Sequence, residues 1–231
     1  MIIIIIAVIL LIILIMLTSY NNKEYLTIPD QLDKLKYYDE NNNIIDHLNL
    51  ERDEQQLAYD YIEPDDIVLE IGGRYGTVSN VINDKLNVKT NHVVVEADPS
   101  VIPSLTKNKQ TYKYHIENSY ISNTNKKLLG GGYGGSMVES SEPNNKITYS
   151  DFKNKYPLKF NVIVADCEGC LCEFLDIIGD DLNNITKIIF EADNPGICDY
   201  NTLIKKLTDN GFIEKEKKFK DVDRYVYIKN K

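Results

Sequence analysis

Residues 66–76 read DIVLEIGGRYG and predict a strand followed by a tight turn. The apolar run up to Ile71 fits a short buried strand, and the glycines after it let the backbone adopt positive φ and approach a ligand closely. The turn has the form E-x-G-x-x-x-G. It is not the dinucleotide fingerprint G-x-G-x-x-G, because Arg74 and Thr77 occupy the third and sixth positions counted from Gly72. No lysine follows the glycines, so it is not a phosphate-binding P-loop either.

Apolar runs alternate with amphipathic segments along the rest of the chain. After DIVLEIGG come four more strand-like runs, HVVVEAD, YKYHIENS, FNVIVADCEG and KIIFEAD, with helical segments between them. Two last runs, FIEKEKKF and RYVYIKN, are joined by a short connection and are therefore antiparallel. The pattern predicts an α/β, Rossmann-like fold: a doubly wound, mostly parallel sheet of about seven strands with a C-terminal antiparallel hairpin. Ligands of such sheets bind at the carboxyl ends of the strands, near the topological switch point.

Composition and charge narrow the classes of function. The chain has 231 residues, which fits one domain with a tail. It is 43% hydrophobic and 26% charged, as expected of a globular protein. Its formal net charge is −9 and it has no basic run, so a nucleic-acid partner is disfavoured.

The N-terminus carries an uninterrupted apolar run. Ile2 to Leu17 are all apolar, and as a helix they would span about 24 Å. We expect residues 1–18 to form a hydrophobic helix that anchors the protein in a membrane, or alternatively a signal sequence. Residues 19–50 are predicted to be a polar tether, and residues 51–231 the folded domain.

The second predicted strand also ends in an acidic residue. In VVVEADPS, Glu96 stands where an acidic side chain accepts both hydroxyls of a ribose. The glycine turn and this strand end, in this order, resemble the class I methyltransferases that use S-adenosylmethionine. The resemblance implies that Glu70 and the turn from Gly72 to Gly76 hold the methionine part of the cofactor, and that Glu96 holds the ribose. It places Asp98 and the pair Asn118–Ser119 near the adenine. The alternative is an ordinary strand–helix turn and an exposed strand end.

Three of the four cysteines lie in ADCEGCLCEFL, residues 165–175. A zinc site would need four convergent ligands, but Cys170 and Cys172 would lie on nearly opposite faces of a helix and could not share one metal. The spacing favours small buried packing residues. A disulfide, which would require an oxidising compartment, stays open.

Carboxylates end both later buried strands. Asp166 ends the fourth predicted strand, Glu168 opens the next helix, and Glu191 and Asp193 end the fifth. Buried strands rarely end in ionisable groups that have neither a function nor a partner. We therefore expect these carboxylates to form a cluster beside the methyl donor. The alternative is that Asp166 or Glu168 stabilises the N-terminus of the following helix.

The motif around these carboxylates narrows the resemblance. D-x-E-G at residues 166–169, followed by Glu-Phe-Leu at 173–175 and IIFEAD in the fifth strand, resembles the FkbM family of methyltransferases. The resemblance covers about residues 65–213 and implies an O-methyltransferase that acts on a hydroxyl of a sugar or glycan. Leu171 departs from the pattern, since the family usually has an acidic residue there, and GGRYG departs in the first turn. Leu171 leaves open a catalytically inactive binding module; a nicotinamide-dependent oxidoreductase is disfavoured by the missing fingerprint.

Methyl transfer to a hydroxyl needs alignment of the reactants and a base for the proton. Two of the three histidines fall in predicted strands, and the third, His47, would have to fold over the site. We therefore predict a carboxylate base, with Asp166 first and Glu191 or Glu168 next. A divalent ion on Asp166 with Glu191 or Asp193 stays open.

A long glycine-rich stretch, LLGGGYGGSMVESSEPNN, occupies residues 128–145. Such a segment is either functional or a surface insertion. As a lid it would exclude water and place Tyr133 and Ser136 near the sugar.

Overall fold

The computed structural model describes residues 26–130 and 135–230 of the chain. The strands, in chain order, are β1 (Val68–Ile71), β2 (His92–Glu96), β3 (His115–Asn118), β4 (Tyr120–Ile121), β5 (Lys126–Leu129), β6 (Ser136–Glu139), β7 (Lys146–Ile147), β8 (Val162–Ala165), β9 (Lys187–Ala192), β10 (Phe212–Phe219) and β11 (Asp223–Lys229). The α-helices are α1 (Asp30–Asp33), α2 (His47–Leu50), α3 (Arg52–Tyr61), α4 (Thr77–Lys85), α5 (Ile102–Asn108), α6 (Tyr149–Lys155), α7 (Leu171–Ile177) and α8 (Tyr200–Asp209). A 3₁₀ helix spans Gly179–Asn184.

Seven strands form one mostly parallel sheet in the order β10-β11-β9-β8-β1-β2-β3. The five strands from β9 to β3 are parallel, whereas β11 runs antiparallel to both β9 and β10. The predicted sheet and its C-terminal antiparallel hairpin are thus confirmed. The order of strands reverses between β1 and β8, so this pair is the topological switch point.

Apolar side chains cover both faces of the central strands. The strands β1, β2 and β8 are buried at every position, as expected of parallel strands packed between helices. Successive residues point to opposite faces. Leu69 and Ile71 therefore join the core beneath α7 and α8, while Val68 joins the core beneath α3 and α4.

The segment before α3 packs onto the domain from residue 26 onward. This differs from the polar tether expected over residues 19–50. Ile28 and Leu32 are buried in the core beneath α3 and α4. Tyr37 is buried against Tyr75, and its hydroxyl accepts a hydrogen bond from Asn80. A few well-spaced apolar side chains therefore outweigh the polar, asparagine-rich composition of the segment.

The structure contradicts the prediction of a membrane protein. Across residues 26–130 and 135–230, no helix is long and apolar enough to cross a bilayer. The segment on which the prediction depended, residues 1–18, lies outside the described residues.

Candidate active site

A cavity of about 570 Å³ opens at the carboxyl ends of β1, β2, β8 and β9. This volume is in the range of small-molecule sites. Within the described residues its wall holds three cationic side chains, Arg74, Lys126 and Arg224. It holds eleven acidic residues: Glu51, Glu54, Glu70, Glu96, Asp98, Asp166, Glu168, Glu173, Glu191, Asp193 and Asp221. The cavity is therefore strongly acidic and suits a ligand that carries positive charge.

The glycine turn after β1 forms one side of the cavity. Gly72 has a φ of +91° and lies so close to β8 that a Cβ there would be 1.6 Å from the carbonyl oxygen of Asp166. Gly76, also at positive φ, is the N-cap residue of α4. It packs against Leu105 and Tyr114 and does not line the cavity. The turn thus brings its first half, from Gly72 to Arg74, to the cavity wall.

Glu96 ends β2 on the same wall and is 7% exposed. Its Oε2 accepts a hydrogen bond of 2.8 Å from the backbone N–H of Arg74, and its Oε1 one of 2.7 Å from that of Asp98. Burial raises the pKa of the carboxyl, and these two backbone donors oppose the rise. A carboxylate has about four acceptor positions, so Glu96 keeps capacity for two ribose hydroxyls.

The residues predicted near the adenine are only partly on the wall. Asp98 lines the cavity, and its Oδ1 accepts hydrogen bonds from the backbone and side chain of Ser100. Asn118 does not line the cavity; its side chain donates to the carbonyl of Glu96 and ties β3 to β2. Ser119 does line it, and its buried hydroxyl has no hydrogen-bond partner.

The carboxylate of Glu70 lies elsewhere than the sequence predicts. It is 3% exposed, accepts a hydrogen bond of 2.9 Å from the hydroxyl of Ser79 in α4, and is 2.8 Å from Nε2 of His92. The alternation of β1 points Glu70 to the face beneath α4, so its carboxylate joins strand to helix and has its partners within the protein.

Three of the predicted carboxylates meet in the cavity at the ends of β8 and β9. Asp166, Glu191 and Asp193 each bring a carboxylate oxygen to within 4.8 Å of the other two. Asp166 is exposed to the cavity, although protein surrounds it, and the other two are half-buried. Asp193 accepts a hydrogen bond of 2.8 Å from the backbone N–H of Glu168 and another of 2.8 Å from the hydroxyl of Tyr200.

Burial and mutual repulsion raise the pKa values of these groups. The pKa of Asp166 lies well above its ordinary value because of burial and then the charges of Glu191 and Asp193. Burial, followed by the charge of Glu54, raises the pKa of Glu191 to about 7. Burial and the charge of Asp193 also raise the pKa of Glu168. The pKa of Glu191 therefore lies where a general base works near neutral pH, and the pKa values of Asp166 and Glu168 are raised in the same direction.

The cluster has the ligand chemistry of a hard cation. Three carboxylate oxygens at this spacing could hold Mg²⁺ or Mn²⁺. The alternative role in helix capping is not seen: α7 begins after Cys170, and no side chain caps its N-terminus. Leu171, at the position where the FkbM pattern usually has an acidic residue, is buried in the core.

Sequence reasoning missed the cation beside the cluster. Arg224, in β11, lies 2.7 Å from a carboxylate oxygen of Glu191 and also pairs with Glu54 in α3. It lowers the pKa of Glu191 against the effects of burial and of Glu54. No local motif marks it, because its partners are 33 and 170 residues away in sequence.

A second group missed from the sequence lines the cavity wall at the start of β5. Lys126 pairs with Glu173, which also accepts a hydrogen bond from Ser122. From Lys126 onward, β5 and β6 form an antiparallel hairpin that overlaps the predicted lid, and Leu128 and Met137 line the cavity. Ser136 accepts a hydrogen bond of 3.0 Å from Asn194. Tyr133 lies outside the described residues, and the lid stays a prediction.

All four cysteines are paired. Cys167 bonds to Cys170, and Cys172 bonds to Cys198. The preference for free packing cysteines is therefore wrong. The prediction that Cys170 and Cys172 face different ways agrees with their having different partners.

None of the three histidines lines the cavity. His47 is buried against Tyr37, His92 pairs with Glu70, and His115 packs beside Tyr156. The side chains that could take a proton within the described cavity wall are thus mainly carboxylates.

Two solved structures with this arrangement of strands and helices are described as methyltransferases. A precorrin-6y C5,15-methyltransferase from Geobacter metallireducens GS-15 is 13% identical, with a TM-score of 0.52 over 90% of this chain and 100% of that one. A proposed O-methyltransferase from Klebsiella pneumoniae is 11% identical, with a TM-score of 0.51 over 80% and 84%. No family model and no curated protein matches the chain. The chain therefore has the class I methyltransferase fold, and membership of the FkbM family is not shown.

Proposed function

We propose that this protein is an S-adenosylmethionine-dependent O-methyltransferase of the FkbM type that methylates a hydroxyl of a sugar or glycan. One observation carries the proposal. The glycine turn and Glu96 line a single cavity at the ends of β1 and β2, and the Asp166–Glu191–Asp193 cluster lines the same cavity at the ends of β8 and β9. A donor and an acceptor can therefore meet between them.

The residues of the cavity fit S-adenosylmethionine. Glu96 keeps acceptor positions for ribose hydroxyls, and the buried hydroxyl of Ser119 lacks a partner. The acidic wall favours the positive charge of the sulfonium and ammonium groups. Glu96 would hold the ribose, Ser119 and Asp98 would face the adenine, and the backbone from Gly72 to Arg74 would border the methionine part.

The chain's own residues supply orientation and a base. S-adenosylmethionine, when bound, supplies an electrophilic methyl group. Asp166, when ionised, accepts a hydrogen bond from the acceptor hydroxyl and takes its proton as the oxygen acquires the methyl group, leaving a methyl ether and S-adenosylhomocysteine. Glu191 lies beside it, and because two close carboxylates resist simultaneous ionisation, the pair binds that proton readily.

Calorimetric titration of the full chain tests the cofactor. We expect micromolar binding of S-adenosylmethionine and none of NAD. The Glu96→Gln change should weaken binding by about tenfold, because Gln accepts fewer hydrogen bonds in the same shape. Glu117→Gln is the matched control: it also lies at a strand end, but its carboxylate pairs with Tyr156 and Lys155, away from the cavity. Equal affinities of the two variants would remove Glu96 from the site.

Transfer of a labelled methyl group tests the acceptor. The full chain is incubated with labelled S-adenosylmethionine and a panel of sugars and glycans, with and without Mg²⁺. A sugar methyl ether keeps its label in alkali, whereas a methyl ester loses it. Cofactor binding without transfer to any acceptor would favour an inactive binding module instead.

A further inference from the structure

One disulfide belongs to the cavity and the other does not. Cys167 and Cys170 both line the cavity, between Asp166 and α7. Cys172 and Cys198 do not line it; their bond ties α7 to the segment before α8. The two bonds lie within a few residues of each other and yet face different surroundings.

The first disulfide closes a loop with an unusual backbone. Only Glu168 and Gly169 lie between its cysteines, and their φ angles are +54° and +87°. Glycine adopts such angles freely, but a glutamate rarely does. Something in the surroundings must therefore hold Glu168 in this conformation, and the covalent bond across it is the closest constraint.

That conformation aims a donor at the carboxylate cluster. The backbone N–H of Glu168 donates to Oδ2 of Asp193 at 2.8 Å. Gly169 is packed against Ile197 and the carbonyl of Asn194. With Gly169 held there, a change of Glu168 to a negative φ would rotate the peptide group that carries this N–H, and Asp193 would keep only its bond to Tyr200. Asp193 lies within 4.8 Å of the Asp166 and Glu191 oxygens, so its movement changes the cluster.

The loop also contacts the other parts of the site. The carbonyl oxygen of Asp166 lies against Gly72 of the glycine turn, 1.6 Å from where a Cβ on Gly72 would be. A Cβ on Gly169 would lie 3.0 Å from Ile197 and 3.2 Å from the carbonyl of Asn194. The loop is thus fitted closely between β1 and the chain after β9.

We propose that the Cys167–Cys170 disulfide is a positioning element of the carboxylate cluster, which holds Glu168 so that Asp193 and Asp166 keep their places. The Cys172–Cys198 disulfide has a structural role. A disulfide stabilises a fold more when it closes a longer loop, and the sequence separations are 3 and 26. The effect on the reaction rests on the proposed methyl transfer.

Paired variants of the full chain separate the two roles. In Cys167→Ala/Cys170→Ala we expect kcat to fall by about tenfold or more, while the Kd for S-adenosylmethionine stays within about twofold and Tm changes little. In the control, Cys172→Ala/Cys198→Ala, we expect a lower Tm. At temperatures well below that Tm, we expect its kcat to equal that of wild type. A merely structural role would not split kcat from Kd. Equal kcat in the two variants would overturn the proposal.

Reduction supplies a reversible test in the Cys172→Ala/Cys198→Ala background, where only the first disulfide remains. Dithiothreitol passes two electrons and two protons to Cys167 and Cys170, which become thiols, and is itself oxidised to a cyclic disulfide. Activity should fall on reduction and return when oxidised dithiothreitol in excess restores the bond. If thiol titration shows two free thiols and the activity is nevertheless unchanged by the reductant, the proposal is contradicted.

A readout that needs no substrate keeps this proposal distinct from the proposed function. Amide hydrogen exchange of Glu168 should be about tenfold faster or more in Cys167→Ala/Cys170→Ala than in wild type, because its hydrogen bond to Asp193 is lost. If wild type transfers no methyl group, the proposed function fails, and faster exchange still supports the positioning role. Unchanged exchange overturns the positioning role whatever the activity.

Discussion

Asp166 and Glu191 make the stability of this protein depend on pH in an unusual direction. Their folded-state pKa values are raised, that of Glu191 to about 7. A carboxyl with a raised pKa contributes stability below its unfolded pKa of about 4, and this contribution is lost as the pH rises through the folded pKa. Asp166→Asn removes one charge from the pair. We therefore expect its Tm to exceed that of wild type at about pH 8 and to match it at about pH 4.

The matched control has the opposite sign. The pKa of Asp181 is lowered, chiefly by its hydrogen bond with Lys153, so its stabilisation is present above the unfolded pKa and lost in acid. Asp181→Asn should not gain stability at about pH 8. Thermal unfolding of both variants at the two pH values checks the prediction. A lower Tm of Asp166→Asn at the higher pH would show that the cluster is not repulsive.

The ends of the predicted strands indicated the positions of some site residues but not of others. Glu96, Asp166 and Glu191 could be predicted to meet because carboxyl ends of parallel strands share one edge of the sheet. Glu70 could not, since the partners of its carboxylate, Ser79 and His92, are not marked by any local pattern. Arg224 could not be predicted either, because only the antiparallel pairing of β11 with β9 brings it opposite Glu191.

At the scale of elements, the turn after β1 depends on glycine for space as well as for backbone angle. In Gly72→Ala a Cβ would overlap the carbonyl of Asp166, and the φ is +91°. Gly211 has a φ of +83° with nothing within 4 Å of a Cβ, so Gly211→Ala measures the backbone cost alone, about 1–2 kcal/mol. We expect Gly72→Ala to lose about 3 kcal/mol or more, because the overlap adds to that cost. Urea unfolding compares the two, and equal losses would contradict the overlap.

The N-terminal segment shows where element prediction from sequence reaches its limit. Residues 26–50 lack a helical or strand period over more than a few positions, and α1 and α2 are four residues each. The segment is held by contacts distant in sequence, such as the hydrogen bonds between the backbone of Tyr38 and the side chain of Asn108. The cysteines show the same limit, since helical geometry separates Cys170 from Cys172 but does not say which partner each takes.

At the scale of the whole molecule, the charge of the cavity agrees with that of the chain. The formal net charge is −9, and the cavity wall within the described residues has eleven acids against three cations. The electrostatic field at the site therefore favours cations. Several of these carboxyls have raised pKa values and so carry less negative charge, which weakens the field without reversing its sign.

This field should distinguish the proposed methyl donor from its product. S-adenosylmethionine carries one positive charge more than S-adenosylhomocysteine, while the two are otherwise alike in shape. Salt screens charges over about 30 Å at about 0.01 M and about 3 Å at about 1 M. We therefore expect the ratio of the product's Kd to the donor's Kd to be several-fold larger at the lower salt concentration. Calorimetry of both ligands at the two concentrations measures it, with uncharged adenosine as the control for effects of salt on the protein itself. A ratio that does not change with salt would mean that the donor's charge is held by a local contact, and the acidic wall would then have no part in releasing the product.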